Sequence, residues 1–124
     1  MKRIEVAYIA GLFDGEGCIR WAESARVSIT SCWPHHLHWI KRMFGCGYIR
    51  IVYSGDDKRK TAYRWEVSGK GAVVFLEIVR PYLREKAHQA DLLITLVRYP
   101  PSAAIRKRMI GELKSHKRID YGSA

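Results

Sequence analysis

The sequence lacks any apolar run near the roughly 18 residues that a transmembrane helix needs. Residues 1–5 are charged and no long apolar stretch follows them, so they do not resemble a secretory signal. Cysteine is scarce, and the odd number of widely spaced residues (Cys18, Cys32 and Cys46) favours free thiols in a reducing compartment over a disulfide framework. We therefore expect an intracellular protein that is neither secreted nor bound to a membrane.

Internal repeats and shifts of composition that would mark a linker are also absent from the 124 residues. Hydrophobic residues make up 48% of the chain, which is enough for a core, and 27% of the residues are charged. This balance is not typical of a disordered chain. We expect one domain over residues 1–124.

Acidic residues are few relative to basic ones. The chain has 22 Lys and Arg against 12 Asp and Glu, a formal net charge of +10. A compact domain this basic is typical of proteins that contact a polyanion. Its basic residues are spread over strand-like and helix-like segments instead of lining one amphipathic helix, so the pattern favours nucleic acid over an anionic membrane surface.

The spacing of apolar residues predicts an α+β fold in which strands pair as hairpins. Glycine and proline mark the ends of several segments. The predicted order is helix 4–15, strands 18–21 and 26–30, helix 34–44, strands 48–53 and 62–68, helices 72–80 and 83–98, and a basic helix 102–117.

The first predicted helix carries a stripe of small residues. Ala7, Gly11 and Gly15 recur at intervals of four, so they lie on one helix face and permit a second helix to approach closely. Glycine inside a helix costs about 0.5–1 kcal/mol relative to alanine, so a close contact would compensate for it. The remaining positions are mostly apolar, which predicts burial of this helix from several sides.

Two acidic residues, Asp14 and Glu16, stand at the end of this helix. The last helical carbonyls carry the negative end of the helix dipole, so carboxylates there are unfavourable unless a cation is close. Carboxylate and carbonyl oxygens are the ligands that Mg²⁺ prefers. A simpler interpretation is that the two side chains cap a turn at Gly15 and Gly17.

Residues 9–17, Ile-Ala-Gly-Leu-Phe-Asp-Gly-Glu-Gly, resemble the LAGLIDADG motif at nearly every position, and a strand follows directly. Residues 44–49 resemble the helix-to-strand turn of the same family. Residues 81–90 are similar to its Pro-x-Leu-x-x-Lys-x-x-Gln-Ala stretch. The three segments occur in the family's order, and the resemblance to LAGLIDADG homing endonucleases covers about residues 4–100.

The resemblance implies an αββαββα core with a saddle-shaped antiparallel sheet and extra C-terminal helices. One-motif members of the family are dimers in which the motif helices pack against each other. A single motif therefore implies a homodimer with Ala7, Gly11 and Gly15 at the interface. The implied partner is double-stranded DNA, genomic or organellar, in line with intron homing.

The family's terminal acid corresponds to Glu16, which is implied to bind Mg²⁺ or another divalent cation such as Mn²⁺, with help from the carbonyl of Gly15. Lys86 matches the family's basic residue near the scissile phosphate. Ser31 falls where the family often has a polar residue that organises water. Either His35 or His36 takes the second basic position.

Alternation along the strands places one set of polar residues on a single sheet face, opposite Val27, Ile29, Trp65 and Val67. A two-stranded ribbon fits the DNA major groove, where arginine pairs with guanine, and basic turns reach phosphates. The residues expected to contact DNA are Arg20, Ser24, Arg26, Ser28, Arg50, Arg64 and Glu66 on the sheet side and Lys58, Arg59 and Lys60 on the turn.

The expected function is metal-dependent cleavage of both DNA strands at a long pseudo-palindromic site. One alternative keeps the fold without cleavage, as an RNA maturase or a DNA-binding regulator, and another is a structural binder of nucleic acid. A further alternative is a zinc site among Cys32, His35, His36 and His38, with Cys46 or His88 as remote ligands. A second ligand pair at proper spacing is missing from this stretch.

Overall fold

The computed structural model describes residues 1–116 and contains five helices and four strands within them. The elements follow the chain as α1 Arg3–Glu16, β1 Gly17–Trp21, β2 Ala25–Ser31, α2 Pro34–Phe44, β3 Tyr48–Tyr53, β4 Ala62–Ser68, α3 Lys70–Val79, α4 Ala87–Arg98 and α5 Ala103–His116. A short 3-10 helix, Arg80–Tyr82, follows α3. The predicted α+β class and the αββαββα order are confirmed.

Local sequence explains several of the element ends. Proline opens α2 at its first turn, where a missing N–H costs nothing. Gly45 closes the same helix with φ of +68°, a left-handed conformation that glycine adopts without strain, and its N–H donates to the carbonyl of Lys41. The predicted end of the last helix at Lys117 lies outside the described residues.

The prediction of a helix over residues 83–98 is wrong at its start, because α4 begins at Ala87. The N–H groups of Arg84 and Lys86 donate to the carboxylate of Asp14 instead of to helical carbonyls. Pro81 lies in the 3-10 helix Arg80–Tyr82, and because proline lacks an N–H it disfavours a continuous α-helix through this segment. This non-helical segment, residues 83–86, therefore lies against the end of α1.

The four strands form one antiparallel sheet in the order β1-β2-β4-β3. Val27 and Ile29 of β2 pair with Val67 and Trp65 of β4, and all four side chains are buried on one face. Phe13 of α1 and Phe75 of α3 extend this core against the sheet. The predicted apolar face is thus confirmed.

Helix α1 is buried on one side in the single protomer, and the predicted burial from several sides stays a prediction that concerns a second copy of the chain. Val6, Ile9, Ala10 and Phe13 face the core. On the opposite side, Ile4 is 77% exposed and Tyr8 is 49% exposed. The protomer therefore presents an apolar helix surface to its surroundings.

No helix within residues 1–116 has the length and apolar character needed to cross a membrane.

Candidate functional site

The two acidic residues at the end of α1 have different environments. The Asp14 carboxylate accepts hydrogen bonds from the N–H of Arg84 at 2.8 Å and from the N–H of Lys86 at 3.0 Å. Glu16 is exposed and has no hydrogen-bond or ion-pair partner among residues 1–116. Asp14 therefore fixes the local structure, and Glu16 is the carboxylate that remains available to a ligand.

Lys86 lies at the same helix end. Its Nζ donates a hydrogen bond to the carbonyl oxygen of Asp14 at 2.6 Å. The last carbonyls of a helix have no partner within the helix and carry the negative end of its dipole, so an ammonium is favoured there. The Lys86 ammonium therefore contacts a residue that is only two positions before Glu16 in α1. Lys86 and Glu16 themselves are 70 positions apart in the sequence.

Ser31 stands at the end of β2 that is nearest to the end of α1. Gly17, the first residue of β1, pairs with Ile29, so Ser31 extends two residues beyond this pair in the direction of Glu16. The Ser31 hydroxyl oxygen accepts a hydrogen bond from the N–H of Trp33 at 3.0 Å. The contact orients the turn that leads into α2.

The structure separates the two candidate histidines. His36 lies over α1, with its Nδ1 3.4 Å from the hydroxyl of Tyr8. His35 is exposed, contacts the ring of Trp33 at a centroid distance of 5.0 Å, and lines a cleft. His35 is therefore the histidine that faces the basic turn between β3 and β4.

This cleft of about 450 Å³ lies between the start of α2 and the β3–β4 turn. The turn is ordered by Asp56, whose carboxylate accepts hydrogen bonds from the N–H groups of Lys58 and Arg59. These bonds are the main reason that the pKa of Asp56 lies below its ordinary value. Arg59 stacks on the Tyr53 ring at 4.2 Å. The three predicted basic residues of the turn, Lys58, Arg59 and Lys60, are all exposed.

The open face of the sheet is rich in arginine. Arg20 pairs with Arg26 across β1 and β2, and Arg50 pairs with Arg64 across β3 and β4. Arg64 is held by a hydrogen bond from its Nε to the Thr30 hydroxyl at 3.1 Å. The alternation of the strands therefore gathers the four arginines that were predicted to contact DNA.

Three of the other predicted contacts differ from these arginines in their placement. Ser24 lies in the bend between β1 and β2, where its carbonyl accepts from the N–H of Ala22. Ser28 and Glu66 are on the predicted face but are only 7% and 3% exposed. Side chains with so little exposed surface offer few atoms to a ligand in this conformation.

Glu66 has two partners that come from different strands. The Tyr48 hydroxyl donates a hydrogen bond to one carboxylate oxygen of Glu66, and Arg20 Nη2 lies 3.2 Å from the other. The Tyr48 hydrogen bond is the largest reason that the pKa of Glu66 is lowered, and burial acts against it. Sequence reasoning missed Tyr48, although alternation with Arg50 puts it on the same face.

The small-residue stripe of α1 is open to its surroundings. A Cβ added at Gly11 or Gly15 would contact nothing else in the described chain within 4 Å. A groove of about 520 Å³ lies beside Ala7 and Gly11, with Pro81 and Tyr82 on its far side. The protomer therefore leaves room for another element along this helix.

Within residues 1–116, no group of three or more His, Cys, Asp and Glu side chains is placed to hold a metal ion. Of the ligands in the zinc alternative, His36 contacts Tyr8, and His88 lies 2.6 Å from Glu112. Glu16 and the carbonyl of Gly15 are hard oxygen donors of the type that Mg²⁺ prefers. One chain offers too few of them for a complete site, so this donor set fits a divalent cation only with further ligands.

The fold is similar to solved homing endonucleases. I-CvuI in complex with its target DNA in the presence of Ca has a TM-score of 0.74 at 20% identity, with 95% of this chain and 85% of that chain covered. The archaeal intron-encoded homing endonuclease I-Vdi141I complexed with DNA has a TM-score of 0.74 at 17% identity, with 95% and 87% covered.

The meganuclease I-SmaMI, bound to uncleavable DNA, has a TM-score of 0.62 at 14% identity, and the match covers 86% of this chain but 43% of that chain. No family model matches the sequence, and no curated protein sequence matches it significantly.

Proposed function

We propose that this chain, which has the fold of the LAGLIDADG homing endonucleases, is a sequence-specific endonuclease that cuts both strands of DNA. The observation that carries the proposal is the pair at the end of α1: Glu16 is exposed and has no polar partner among residues 1–116, and Lys86 is hydrogen-bonded to the same helix end. A free carboxylate beside an ammonium suits hydrolysis of a phosphodiester, because one group binds cations and the other stabilises negative charge.

The arginine-rich face supports DNA as the substrate. Arg20, Arg26, Arg50 and Arg64 lie on one side of a four-stranded sheet, opposite the apolar core. Strands in the major groove read bases through such side chains, and the basic β3–β4 turn suits phosphates. Two similar structures, those of I-CvuI and I-Vdi141I, contain bound DNA. Such an enzyme would act inside the cell, on genomic or organellar DNA.

We further propose that the active form is a homodimer joined through α1. The open stripe of Ala7, Gly11 and Gly15 and the exposed Ile4 and Tyr8 leave an apolar surface that a second copy would cover. The match to I-SmaMI spans less than half of that chain, so two copies of this chain would correspond to its length. Twofold symmetry would bring Glu16 of one protomer close to Glu16 of its partner.

The cofactor of the proposed enzyme is Mg²⁺ or another divalent cation, held by Glu16 and the carbonyl of Gly15 from each protomer. When bound, the cation would lower the pKa of the attacking water and stabilise the leaving oxygen. Lys86 would hold its ammonium against the scissile phosphate while Asp14 keeps the segment 84–86 in place. Ser31 and His35 would contribute polar groups at the same end of the sheet.

The test is a cleavage selection on randomised duplex DNA with Mg²⁺, using the wild type, Glu16→Gln and Glu77→Gln. Glu77 is an exposed acid on α3, so its variant controls for the loss of one negative charge. We expect the wild type and Glu77→Gln to cut a pseudo-palindromic site with short 3′ overhangs, and EDTA to stop the reaction. Glu16→Gln should bind this site without cutting it.

Two results would contradict the proposal. If Glu16→Gln cuts DNA at the wild-type rate, Glu16 does not bind the catalytic cation. Specific binding of DNA without cutting by the wild type would favour the regulator or maturase, and RNA would be the next substrate to test.

A further inference from the structure

Glu66 is an acidic residue at the centre of a basic surface. It lies on β4, is only 3% exposed, and shares its sheet face with Arg20, Arg26 and Arg50. A carboxylate is costly to bury unless it is paired and hydrogen-bonded. Its hydrogen bonds therefore determine how the side chains around it can be arranged.

Those hydrogen bonds connect the two outer strands. The strand order is β1-β2-β4-β3, with Arg20 on β1 and Tyr48 on β3. Arg20 reaches across β2 to one Glu66 oxygen, and Tyr48 donates to the other. Ser28, the β2 residue paired with Glu66, is only 7% exposed beneath this arrangement.

We infer that Glu66 is a positioning residue that fixes Arg20 and Tyr48 for base recognition and so determines specificity without touching DNA itself. The inference rests on the proposed function, because it assumes that this face reads duplex DNA. A pre-oriented side chain loses less conformational entropy on binding than a mobile one. Removal of Glu66 would leave both side chains present but free to contact several bases.

The hydrogen-bonding chemistry indicates which bases are read. Arginine has five N–H donors, and one Nη of Arg20 is used by Glu66, so the remaining donors suit the two acceptors of guanine. Tyr48 gives its proton to Glu66, which leaves its oxygen as an acceptor. That oxygen suits the exocyclic amino group of adenine or cytosine.

The substitution Glu66→Gln should change nonspecific DNA affinity and base discrimination in opposite directions. Glu66→Gln removes a negative charge from a surface that binds a polyanion, so affinity for unrelated duplex DNA should rise. The amide also loses the charged acceptor that holds Arg20 and Tyr48, so discrimination between bases should fall. Simple damage to the fold would lower both quantities together.

The experiment is a binding selection from a randomised duplex library without divalent cation, followed by affinity measurements on the selected site and on unrelated DNA. For Glu66→Gln we expect the preference for guanine at the Arg20 position to fall about 10-fold in each half-site. Binding of unrelated DNA should strengthen. Glu77→Gln should keep the wild-type base preferences.

Tyr48→Phe serves as a second variant, because Tyr48 is half exposed and its ring can be kept while the hydroxyl is lost. This variant should relax the preference for adenine or cytosine at its own base pair. Wild-type base preferences in both Glu66→Gln and Tyr48→Phe would overturn the inference. A wild type that enriches no sequence would overturn the proposed function and this inference with it, whereas a specific wild type with unchanged variants overturns the inference alone.

Discussion

Lys86 Nζ donates a hydrogen bond to the carbonyl oxygen of Asp14 at 2.6 Å, and the Asp14 carboxylate accepts one from the Lys86 N–H at 3.0 Å. The two residues therefore hold each other through both backbone and side chain. This double contact attaches the segment before α4 to the end of α1. It gives Lys86 a fixed position two residues from Glu16.

Lys86→Met should reduce DNA cleavage while keeping DNA binding. The variant loses the ammonium, and removal of one preorganised charge-stabilising group costs about 10²–10³-fold in rate. Lys41 is an exposed lysine on α2, so Lys41→Met is the matched control. This variant should cut DNA at the wild-type rate. Single-turnover cleavage with Mg²⁺ measures both. A Lys86→Met enzyme that cuts at full rate would remove Lys86 from the proposed mechanism.

Gly11→Leu should fold as a protomer but fail to dimerise. A Cβ at Gly11 contacts nothing else in the described chain within 4 Å, so the leucine would project from the α1 surface. Loss of a helical glycine adds about 0.5–1 kcal/mol of stability to the protomer. Gly111→Leu makes the same change on an open position of α5 and should leave the dimer intact.

Sedimentation equilibrium measures the oligomeric state of both variants. A Gly11→Leu protein that is as dimeric as the wild type would refute close packing of α1 against its partner.

The contribution of Glu66 to stability should depend on pH. Its pKa in the folded protein lies below the ordinary value of 4.5, so its charged form is favoured by folding. The stabilisation is therefore complete above pH 4.5 and is lost as the pH falls through the lowered folded value. Glu66→Gln should be less stable than the wild type by about 1–3 kcal/mol at pH 7, with a smaller difference at about pH 3.

Urea unfolding of the wild type and Glu66→Gln at both pH values tests this. Glu77→Gln breaks only an exposed ion pair with Arg98, so its effect should stay within about 0–1 kcal/mol. A Glu66→Gln difference that is the same at both pH values would show that the charge of Glu66 contributes nothing to folding.

Leu113→Ala should destabilise the protein through α5. Leu113 is 1% exposed and belongs to the hydrophobic core, whereas Ile105 on the same helix is 48% exposed. Truncation of a buried leucine typically costs about 2–5 kcal/mol of unfolding free energy. Ile105→Ala should change it by less than about 0.5 kcal/mol. Equal effects in thermal unfolding would indicate that α5 is not packed as described.

The sequence alone determined the order of the elements and the two faces of the sheet. Alternation along a strand depends only on neighbouring residues, so it correctly separated Trp65 and Val67 from Arg64. The acidic end of α1 and the stripe of Ala7, Gly11 and Gly15 were likewise visible as local spacings. The roles of Glu16, Lys86, Ser31 and His35 came from resemblance and stay predictions.

Only the tertiary structure decided how individual polar groups are used. The Asp14 carboxylate accepts hydrogen bonds from the N–H groups of Arg84 and Lys86, which lie 70 and 72 positions away in the chain. Residues 83–86, predicted as the start of a helix, are therefore not helical, and α4 begins at Ala87. Glu66 is buried and hydrogen-bonded to Arg20, 46 positions away, instead of lying open to DNA. Hydrogen bonds between such distant residues depend on how helices and strands pack, and no local pattern contains that information.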